Sequence, residues 1–536
     1  MTTPGKQVAR ATAVVSALTL ASRVLGLVRD SVTAAFFGAG FATDAFFVAF
    51  RIPNLLRRLV AEGSLGSAFL PIFADEQRKS QDCAREAIGA ISSVSIITTL
   101  VITFLGIAFA EELTLLFAPG FAADPSKIAL STSLLRVMLP YIVFVSLLAL
   151  ASSVLNTCGH FAWPAAAQAI LNVVIVITVV LFTSYFEIGI YSFAWGFVIG
   201  GVVCLLPQLV VLKRLGFPIR FQDPRRKPVV RAFLRLLFPS LMSSSVYQLM
   251  IFINTLLASM LVEGAVSWLY YADRVFQFPL GVFSLAIATA VFPMLSQAAA
   301  ADNDQSFREN LTLAVDWISF ITIPATVGLV LLAQPMIEVL FERGNFTAEH
   351  TTFTADALQA FSLGLWAISC QSVFVRAYLA KKNSLYPSVV SVATILLGLL
   401  LSLALMGPPA SIAESWLGEF IATAQQTVQI ASLGPSALAL AGSISALLSV
   451  LFLWGSLSVI NTSLPLRPTL MTLSKTILAS LLMGGVLIVL RRLESPWVVV
   501  FGGIPVAAGI YLCITYLLRC PPALVSVSYA QRWFKL

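Results

Sequence analysis

The feature that most constrains this chain of 536 residues is a series of long apolar runs with few charges. A run of about 18 or more apolar residues is long enough to cross a bilayer as a helix. Fourteen such runs are predicted, at residues 11–29, 33–56, 88–110, 131–155, 163–185, 189–212, 232–259, 267–295, 310–333, 355–378, 386–406, 437–459, 470–490 and 498–518. β-Barrels also satisfy the backbone in lipid, but their strands are shorter and alternate in polarity. The sequence therefore predicts an all-α, polytopic membrane protein with about 14 transmembrane helices.

The charge distribution gives an orientation for these helices. Only 11% of the residues are charged, against about 25% in soluble proteins, and the net charge is +8. If the N-terminus is cytoplasmic, most lysines and arginines, including the cluster at 213–231, fall on the cytoplasmic side. This asymmetry follows the positive-inside rule and predicts that both termini are cytoplasmic. The basic excess is explained by topology, so no nucleic-acid partner is expected.

The N-terminus and the cysteines narrow the class further. Lys6 and Arg10 precede the first apolar run, as in a signal peptide, but Arg23 and Arg29 stand where a cleavage site would lie. We therefore expect a retained first helix. The six cysteines form no CxxC pair, and the chain has two histidines. Neither a disulfide framework nor a metal site is predicted.

Two halves of the chain share a weak repeat. Asp44–Arg51 is followed by Pro71 in the first half, and Ser267–Arg274 is followed by Pro293 in the second. The corresponding ends lie 222 or 223 residues apart. Both halves begin on the same side, so the repeat is parallel, with a pseudo-twofold axis along the membrane normal.

This repeat predicts the domain organisation. Helices 1–6 form an N-terminal lobe and helices 7–12 a C-terminal lobe, followed by two further helices. The corresponding ranges are 1–215, a basic cytoplasmic linker at 216–231, 232–460, and 461–536. The role of the external connection at 407–435 is left open, although part of it is predicted as a short surface helix.

Arginines interrupt three of the apolar helices on polar faces. On the first helix, Arg23 lies on one polar stripe and Arg29 about a quarter-turn away. The second helix carries Asp44, Arg51, Asn54, Arg57, Arg58 and Glu62, and helix eight carries Ser267 and Arg274. An arginine facing lipid at the bilayer centre costs about 2.5–3.5 kcal/mol. These side chains are therefore expected to face protein or a wet cavity.

Two interpretations of these charges are open. Arg29, Arg57 and Arg58 could snorkel to an interface. Four carboxylates could also neutralise arginines in structural pairs, namely Asp30, Asp44, Glu62 and Asp273. Arg23, Arg51 and Arg274 lie deeper or recur in both halves, which favours a cavity. Guanidinium groups bind phosphate and carboxylate bidentately. The residues therefore predict a cavity for an anionic headgroup, without identifying the substrate.

Four segments resemble one known family. They are Ser22–Asp75, Leu155–Ala165, Ala265–Arg274 and Leu340–Leu358, and the first is specific by itself. They resemble the MurJ (MviN) lipid II flippases of the multidrug/oligosaccharidyl-lipid/polysaccharide exporter superfamily. The resemblance implies two six-helix lobes in a V and two C-terminal helices that line a groove for a lipid tail.

The resemblance also implies a substrate and residue roles. The substrate would be undecaprenyl diphosphate carrying a disaccharide pentapeptide, moved from the inner to the outer leaflet. Arg23, Arg29 and Arg274, with Arg51, would bind the substrate. The positions that would form gates or a portal are Asp44 and Ser267 on the external side, and Asn54, Arg57, Arg58 and Glu62 elsewhere on the second helix.

No cofactor is expected, and the membrane potential is the predicted driving force. Some members bind sodium through acidic residues on helices seven and eleven, which are absent here, so a sodium site is doubtful. The chain also lacks a GxxxxGK[ST] motif for ATP. We expect a monomer in the bacterial cytoplasmic membrane, in contact with membrane lipids. A partner in the cell-wall synthesis machinery is left open.

Three other functions compete with the flippase. An exporter of another anionic polyprenyl-linked saccharide would share the fold and the arginines. A membrane enzyme acting on polyprenyl diphosphates would need clustered carboxylates or an activated nucleophile, and neither pattern occurs. A scaffold without transport would tolerate replacement of the deep arginines.

Overall fold

The computed structural model of the protein describes residues 4–59, 65–225, 227–410, 416–460, 462–492 and 495–533. Regular structure within these ranges is helical, and no β-strand occurs in them. Helices are expected in an apolar chain because a bilayer offers no water to the backbone, so each segment must satisfy its own N–H and C=O groups. The chain divides into two compact units.

The first unit comprises Met1–Ser267 with the short segments Arg343–Phe346 and Ala410–Glu419. Its helices are α1 (Pro4–Phe37), α2 (Phe41–Leu59), α3 (Leu65–Lys79), α4 (Gln81–Ala108), α5 (Ala110–Phe117), α6 (Pro125–Met138), α7 (Tyr141–Thr157), α8 (Ala162–Phe182), α9 (Tyr191–Arg214) and α10 (Pro228–Ser259). Helix α8 packs against α1 and α9, α2 packs against α6, and α10 runs along α3 and α4. The aromatic core includes Phe69, Phe73 and Phe233.

Close packing in this unit depends on small residues. A methyl group on Gly200 of α9 would lie 2.5 Å from Leu171 of α8, and one on Gly196 would lie 3.2 Å from the Ile175 backbone. Membrane helices associate through such close backbone approach, because lipid tails are as apolar as leucine. The glycines of α9 therefore set the distance between α8 and α9.

The second unit comprises Trp268–Glu342, Thr347–Pro409 and Phe420–Leu536. Its helices are α11 (Ala265–Pro279), α12 (Leu285–Ala300), α13 (Asp304–Phe341), α14 (Ala348–Ser362), α15 (Leu365–Ala380), α16 (Leu385–Leu405), α17 (Trp416–Val428), α18 (Ser436–Gly455), α19 (Leu466–Leu490), α20 (Pro496–Phe501), α21 (Gly503–Leu517) and α22 (Pro521–Trp533). The start of α11 and of α17 belongs to the first unit. The long helix α13 packs against α12, α14, α15 and α19. The Tyr511 hydroxyl of α21 donates to the Phe320 carbonyl of α13 at 2.7 Å.

The all-α polytopic prediction is confirmed. Within the described ranges, ten helices are long and apolar enough to cross a membrane, or eleven if the pair α14 and α15, bent by 40°, is one span. Each coincides with a predicted apolar run. The remaining three predicted spans fall on α1, α2 and α10, and α2 carries four ionisable residues, namely Asp44, Arg51, Arg57 and Arg58.

The predicted boundary between the first two helices is wrong. The first helix does not end at residue 29 but continues to Phe37, and α2 begins at Phe41 rather than at residue 33. Gly38, with φ +66°, ends α1 in a conformation that favours glycine. Arg29 and Asp30 form a contact with each other inside α1, so their charges do not end the helix.

The predicted lobe boundaries stay a prediction, since compactness and internal repetition are different criteria. Helix α10, which the repeat assigns to the second lobe, packs against α2, α3 and α4 of the first unit. The 407–435 connection contains the helix α17, and its position on the membrane surface stays a prediction.

Candidate functional site

Arg29 is the most enclosed of the predicted substrate-binding arginines, with 6% of its surface exposed. Its guanidinium donates to Asp30 Oδ1 at 2.6 and 3.0 Å and to Asn172 Oδ1 of α8 at 3.0 Å. The Asn172 amide in turn donates to the Ser22 carbonyl of α1 at 3.0 Å. Asp30 is 2% exposed. Arg29 therefore forms a buried ion pair within α1, and its hydrogen bond to Asn172 joins α1 to α8.

Arg23 and Arg51 are half-buried. Arg23 lies on α1, two turns before Arg29, and Arg51 lies on α2 beside the buried residues Ile52, Pro53 and Asn54. Both arginines belong to the first compact unit.

Arg274 lies on α11 in the second unit and is also half-buried. Its guanidinium carbon lies 4.6 Å from the centre of the Tyr270 ring, one helical turn earlier. One of its terminal nitrogens donates to the Tyr270 hydroxyl at 2.8 Å. The neighbouring Asp273 accepts a hydrogen bond from Gln277. Arg274 therefore contacts both the ring and the hydroxyl of Tyr270 on its own helix.

A second predicted cluster is centred on Asp44, which is 1% exposed. Its Oδ1 accepts from the Ser267 hydroxyl at 2.7 Å and from the Ser267 N–H at 3.0 Å. Its Oδ2 accepts from the Gly264 N–H at 2.7 Å and from the Lys127 ammonium at 3.1 Å. Gly264 and Ser267 lie at the start of α11, where N–H groups have no partner within the helix. Asp44 therefore caps α11 from another part of the chain and pairs with its positive dipole end.

Lys127 is the member of this cluster that the sequence did not single out. It lies on α6, is 7% exposed, and its ammonium is 4.6 Å from the Phe121 ring and 5.8 Å from the Phe41 ring. A buried lysine needs a counter-ion and hydrogen-bond acceptors, and Asp44 supplies both. The sequence shows Lys127 only as a lysine beside an apolar run. Its partner Asp44 lies 83 residues away in the chain, so the pair could not be read from local sequence.

The helix ends around Asp44 are capped in both directions. Glu263, which precedes α11, accepts from the Phe41 N–H at the start of α2 at 2.9 Å. Asp44 of α2 caps α11 in return. Each of the two helix N-termini thus has its free N–H groups bonded by a carboxylate from the other segment. This reciprocal capping holds the first turn of α2 to the residues that begin α11.

The end of α1 is held by the segment Arg343–Phe346, which belongs to the same unit. The Asn345 N–H donates to the Ala35 carbonyl at 2.9 Å, and the Asn345 amide donates to the Phe36 carbonyl at 2.6 Å. These carbonyls are in the last turn of α1, where no intrahelical donor is left. A methyl group on Gly344 would lie 2.3 Å from the Ala35 oxygen, so the contact needs glycine.

The other end of α2 carries the remaining candidates. Arg57 donates from two nitrogens to the Asn54 side-chain oxygen at 3.0 and 3.2 Å. Asn54 is 6% exposed, and Arg58 is half-buried. Glu62 lies outside the described residues. The structure thus brings Asn54 and Arg57 together on one face, three residues apart.

The part of the chain that the structure describes contains no cluster of side chains that could bind a metal ion. No three histidine, cysteine or acidic side chains converge there, and the six cysteines are free.

Comparison with solved structures first shows which proteins share this fold. An inward-facing multidrug resistance MATE family transporter of the MOP superfamily superposes with a TM-score of 0.66 at 14% identity, over 82% of this chain and 95% of that one. A MOP superfamily transporter from Pyrococcus furiosus gives 0.56 at 16% identity, over 86% and 100%. At these identities the likeness concerns the fold alone. The chain therefore shares the polytopic helical fold of these two structures.

The family follows from closer relatives. A structure titled "Lipid II flippase MurJ, inward closed conformation" superposes with a TM-score of 0.77 at 28% identity, over 94% of this chain and 98% of that one. The lipid II flippase MurJ of Burkholderia cenocepacia is 36% identical over 392 residues, 72% of this chain and 76% of that protein. The probable lipid II flippase MurJ of Buchnera aphidicola (strain APS) is 35% identical over 389 residues, 72% and 76% of the two chains.

The profile of the family described as "Lipid II flippase MurJ" matches residues 33–504. The chain therefore belongs to the MurJ family of lipid II flippases, and the resemblance drawn from its motifs is confirmed. It is a multi-pass membrane protein of a transporter family.

Proposed function

We propose that this protein translocates lipid II, the undecaprenyl-diphosphate-linked peptidoglycan precursor, from the inner to the outer leaflet of the bacterial cytoplasmic membrane by alternating access. It acts as a transporter rather than as an enzyme. The proposal is supported by the family match over residues 33–504 and by the likeness to an inward closed lipid II flippase.

The observation that carries the proposal is the Asp44 cluster. The first turn of α2 is attached to the start of α11 through four donors to one buried carboxylate, two of them backbone N–H groups. Alternating access requires a contact that holds one state and can be exchanged for another. Hydrogen bonds to one carboxylate can break together, whereas an interlocked apolar core resists small shifts. Asp44 and Ser267 are assigned to this gate.

The arginines are assigned to the substrate. Arg23, Arg51 and Arg274 bind the diphosphate, because guanidinium groups match phosphate oxygens in charge and geometry. Arg29 joins them when substrate oxygens replace the Asp30 carboxylate as its acceptors. Asn54, Arg57 and Arg58, at the other end of α2, are assigned to the portal or gate, and Glu62 is assigned to it from the sequence alone.

The membrane potential drives the cycle in this proposal, with no cofactor and no sodium site. Moving one charge across the membrane changes the free energy by about 2.3 kcal/mol per 100 mV. With the inside negative, a substrate carrying roughly two negative charges gains about 4–5 kcal/mol per 100 mV when it moves outward. This gain applies only to charge that the arginines do not carry along.

The positive-inside pattern assigns both termini to the cytoplasm. The protein works as a monomer in contact with membrane lipids, and nucleic acid is not a partner. A partner in the cell-wall synthesis machinery is left open.

The test is outer-leaflet exposure of lipid II in bacteria whose own flippase has been shut off. Cells expressing this chain or its Arg23→Ala variant at equal abundance are treated with an impermeant enzyme that cleaves exposed lipid II. Cleavage is expected with the unaltered chain and not with the variant. Lys213→Ala, an exposed cation at the end of α9, is the matched control and should retain cleavage.

Two outcomes would contradict the proposal. A folded, membrane-inserted wild-type chain that gives no cleavage would favour the exporter of another anionic polyprenyl-linked saccharide, or a scaffold. Full cleavage with Arg23→Ala would remove that arginine from the substrate site.

A further inference from the structure

The basic connection between α9 and α10 is attached to α4 along its length. Arg85 of α4 donates to the Gly216 carbonyl at 2.7 Å, and the Gln222 N–H donates to the Ser93 hydroxyl at 2.9 Å. A methyl group on Gly89 of α4 would lie 2.8 Å from the Arg220 carbonyl. The connection is therefore a fixed part of the first unit rather than a loose tether, and its charges have defined positions.

A row of cations lies where this connection enters α10. Lys227, Arg231 and Arg235 are spaced four residues apart, so they share one face of the helix. Lys227 contacts Glu86 at 3.2 Å, with both side chains partly exposed. Arg231 and Arg235 are exposed, and neither has an ion-pair partner among the described residues. The row thus carries more positive charge than the protein neutralises.

The same residues line a cavity of about 430 Å³, together with Pro224, Val230 and Leu234. Apolar side chains are exposed beside it, with Phe221 at 70%, Leu234 at 46% and Phe238 at 66%. Helix α10 continues from here as a predicted membrane span to Ser259. The apolar run at 232–259 begins beside this cavity, so the sequence predicts that the cavity lies at the level of the headgroups.

We infer that this surface, defined by Lys227, Val230, Arg231, Leu234 and Arg235, binds an anionic phospholipid headgroup. The arginines bind the phosphate, and the exposed apolar residues contact the upper part of the acyl chains. A water-soluble anion would use the cations but not the apolar rim. An acidic protein segment would match the positive charge of this surface. It would, however, have to displace lipid from the exposed apolar residues beside the cations.

This inference concerns a lipid site outside the arginine and Asp44 clusters, so it does not depend on the transport function. It identifies a contact between the first unit and the membrane on the side that the positive-inside rule assigns to the cytoplasm. Bound lipid would fix the entry point of α10 at the headgroup level.

The test uses the full purified chain in detergent, with no lipid II present, and native mass spectrometry to count bound lipids. Phosphatidylglycerol and phosphatidylcholine of equal chain length are titrated separately. Phosphatidylglycerol is expected to bind more tightly. Arg231→Gln/Arg235→Gln should weaken its binding by about 30-fold, from about 1 kcal/mol for each cation near a membrane surface.

The matched control is Lys213→Gln/Arg214→Gln, which removes two exposed cations from the other end of the same connection. Its phosphatidylglycerol affinity should stay within about twofold of the unaltered chain, since a site-bound lipid depends on contact more than on net charge. Equal loss in the two double variants would overturn the site in favour of diffuse attraction. Equal binding of the two phospholipids to the unaltered chain would also overturn it.

Two competitors separate the other occupants. Full displacement of phosphatidylglycerol by glycerol 3-phosphate would identify a site for soluble phosphate and overturn the lipid assignment. Displacement of phosphatidylglycerol by oligoglutamate, at a lower concentration than glycerol 3-phosphate requires, would identify an acidic protein partner. That result would also overturn the lipid assignment. Retention of the lipid against both supports the proposal.

Discussion

Arg29 and Arg274 have the same side chain and the same predicted role, yet their surroundings differ. Arg29 is 6% exposed and contacts Asp30 and Asn172. Arg274 is half-buried, lies over the Tyr270 ring and donates a hydrogen bond to the Tyr270 hydroxyl. The first contact is with a full negative charge and the second with a neutral phenol.

Within the proposal that both arginines bind the substrate, the Asp30 carboxylate gives Arg29 a structural role as well. A guanidinium paired with a buried carboxylate stabilises the fold as long as both partners stay, and releasing it for a ligand costs that pair. A guanidinium directed by a neutral acceptor can turn to an anion without giving up that carboxylate. We therefore expect variants of the two arginines to fail in different ways.

The largest effect is expected for Arg274→Ala. Transport should fall to background, because the positive charge in α11 is lost, while membrane insertion and thermal stability change little. Lipid II exposure in flippase-depleted cells measures the first, and the unfolding midpoint of purified protein measures the second. Full activity in this variant would remove Arg274 from the substrate site.

Arg29→Ala should instead reduce the free energy of unfolding, by about 3–5 kcal/mol, because it leaves the Asp30 carboxylate buried without its counter-ion. Unfolding in detergent measures this loss. The double variant Arg29→Ala/Asp30→Ala should recover most of it, since both charges are then gone. A single variant as stable as Arg274→Ala would show that the two arginines are equivalent after all.

Ser267→Ala should have an intermediate effect. It removes the hydroxyl that donates to Asp44 at 2.7 Å and leaves the backbone N–H in place. A hydrogen bond to a charged group contributes about 1.5–3 kcal/mol, so the unfolding midpoint of the purified protein should fall. The control is Ser133→Ala, whose hydroxyl contacts the neutral Tyr191 hydroxyl and whose loss should cost less. Equal shifts in the two variants would argue against a special role for the Asp44 charge.

The smallest effect is expected for Tyr270→Phe. The ring contact with Arg274 remains, and only the acceptor at 2.8 Å is lost. A neutral acceptor contributes about 0.5–1.5 kcal/mol, so transport should fall by about two- to tenfold. Initial rates of lipid II exposure measure this change. A complete loss of transport would mean that the hydroxyl does more than direct Arg274.

The helical architecture could be predicted because it depends on local composition. Apolar runs such as 163–185 and 437–459 indicate membrane helices by their composition alone. Helices α8 and α18 begin within one residue of these runs and end within four. The end of α1 could not be predicted in the same way. Asp30 and Arg29 look like a helix end in sequence, but they neutralise each other and the helix continues to Phe37.

The sequence singles out charged residues of the candidate site but not the contacts that they make. Asp44 and Ser267 are visible as polar residues in apolar helices. Lys127, Glu263 and Asn345 are not, because their partners lie 83, 222 and 309 residues away in the chain. Helix capping between distant segments leaves no periodic signal, since it depends on which helix ends meet after folding.

The Asp44 cluster also bears on how the protein is made. Synthesis delivers Asp44 first, Lys127 next, and Gly264 and Ser267 last, 220 and 223 residues after Asp44. An ionised carboxylate is costly in a bilayer until it finds a partner. Lys127 is the partner within the cluster that reaches the membrane before α11 exists. Because α6 is synthesised before α11, Lys127 of α6 is the first residue of the cluster that can pair with the Asp44 carboxylate.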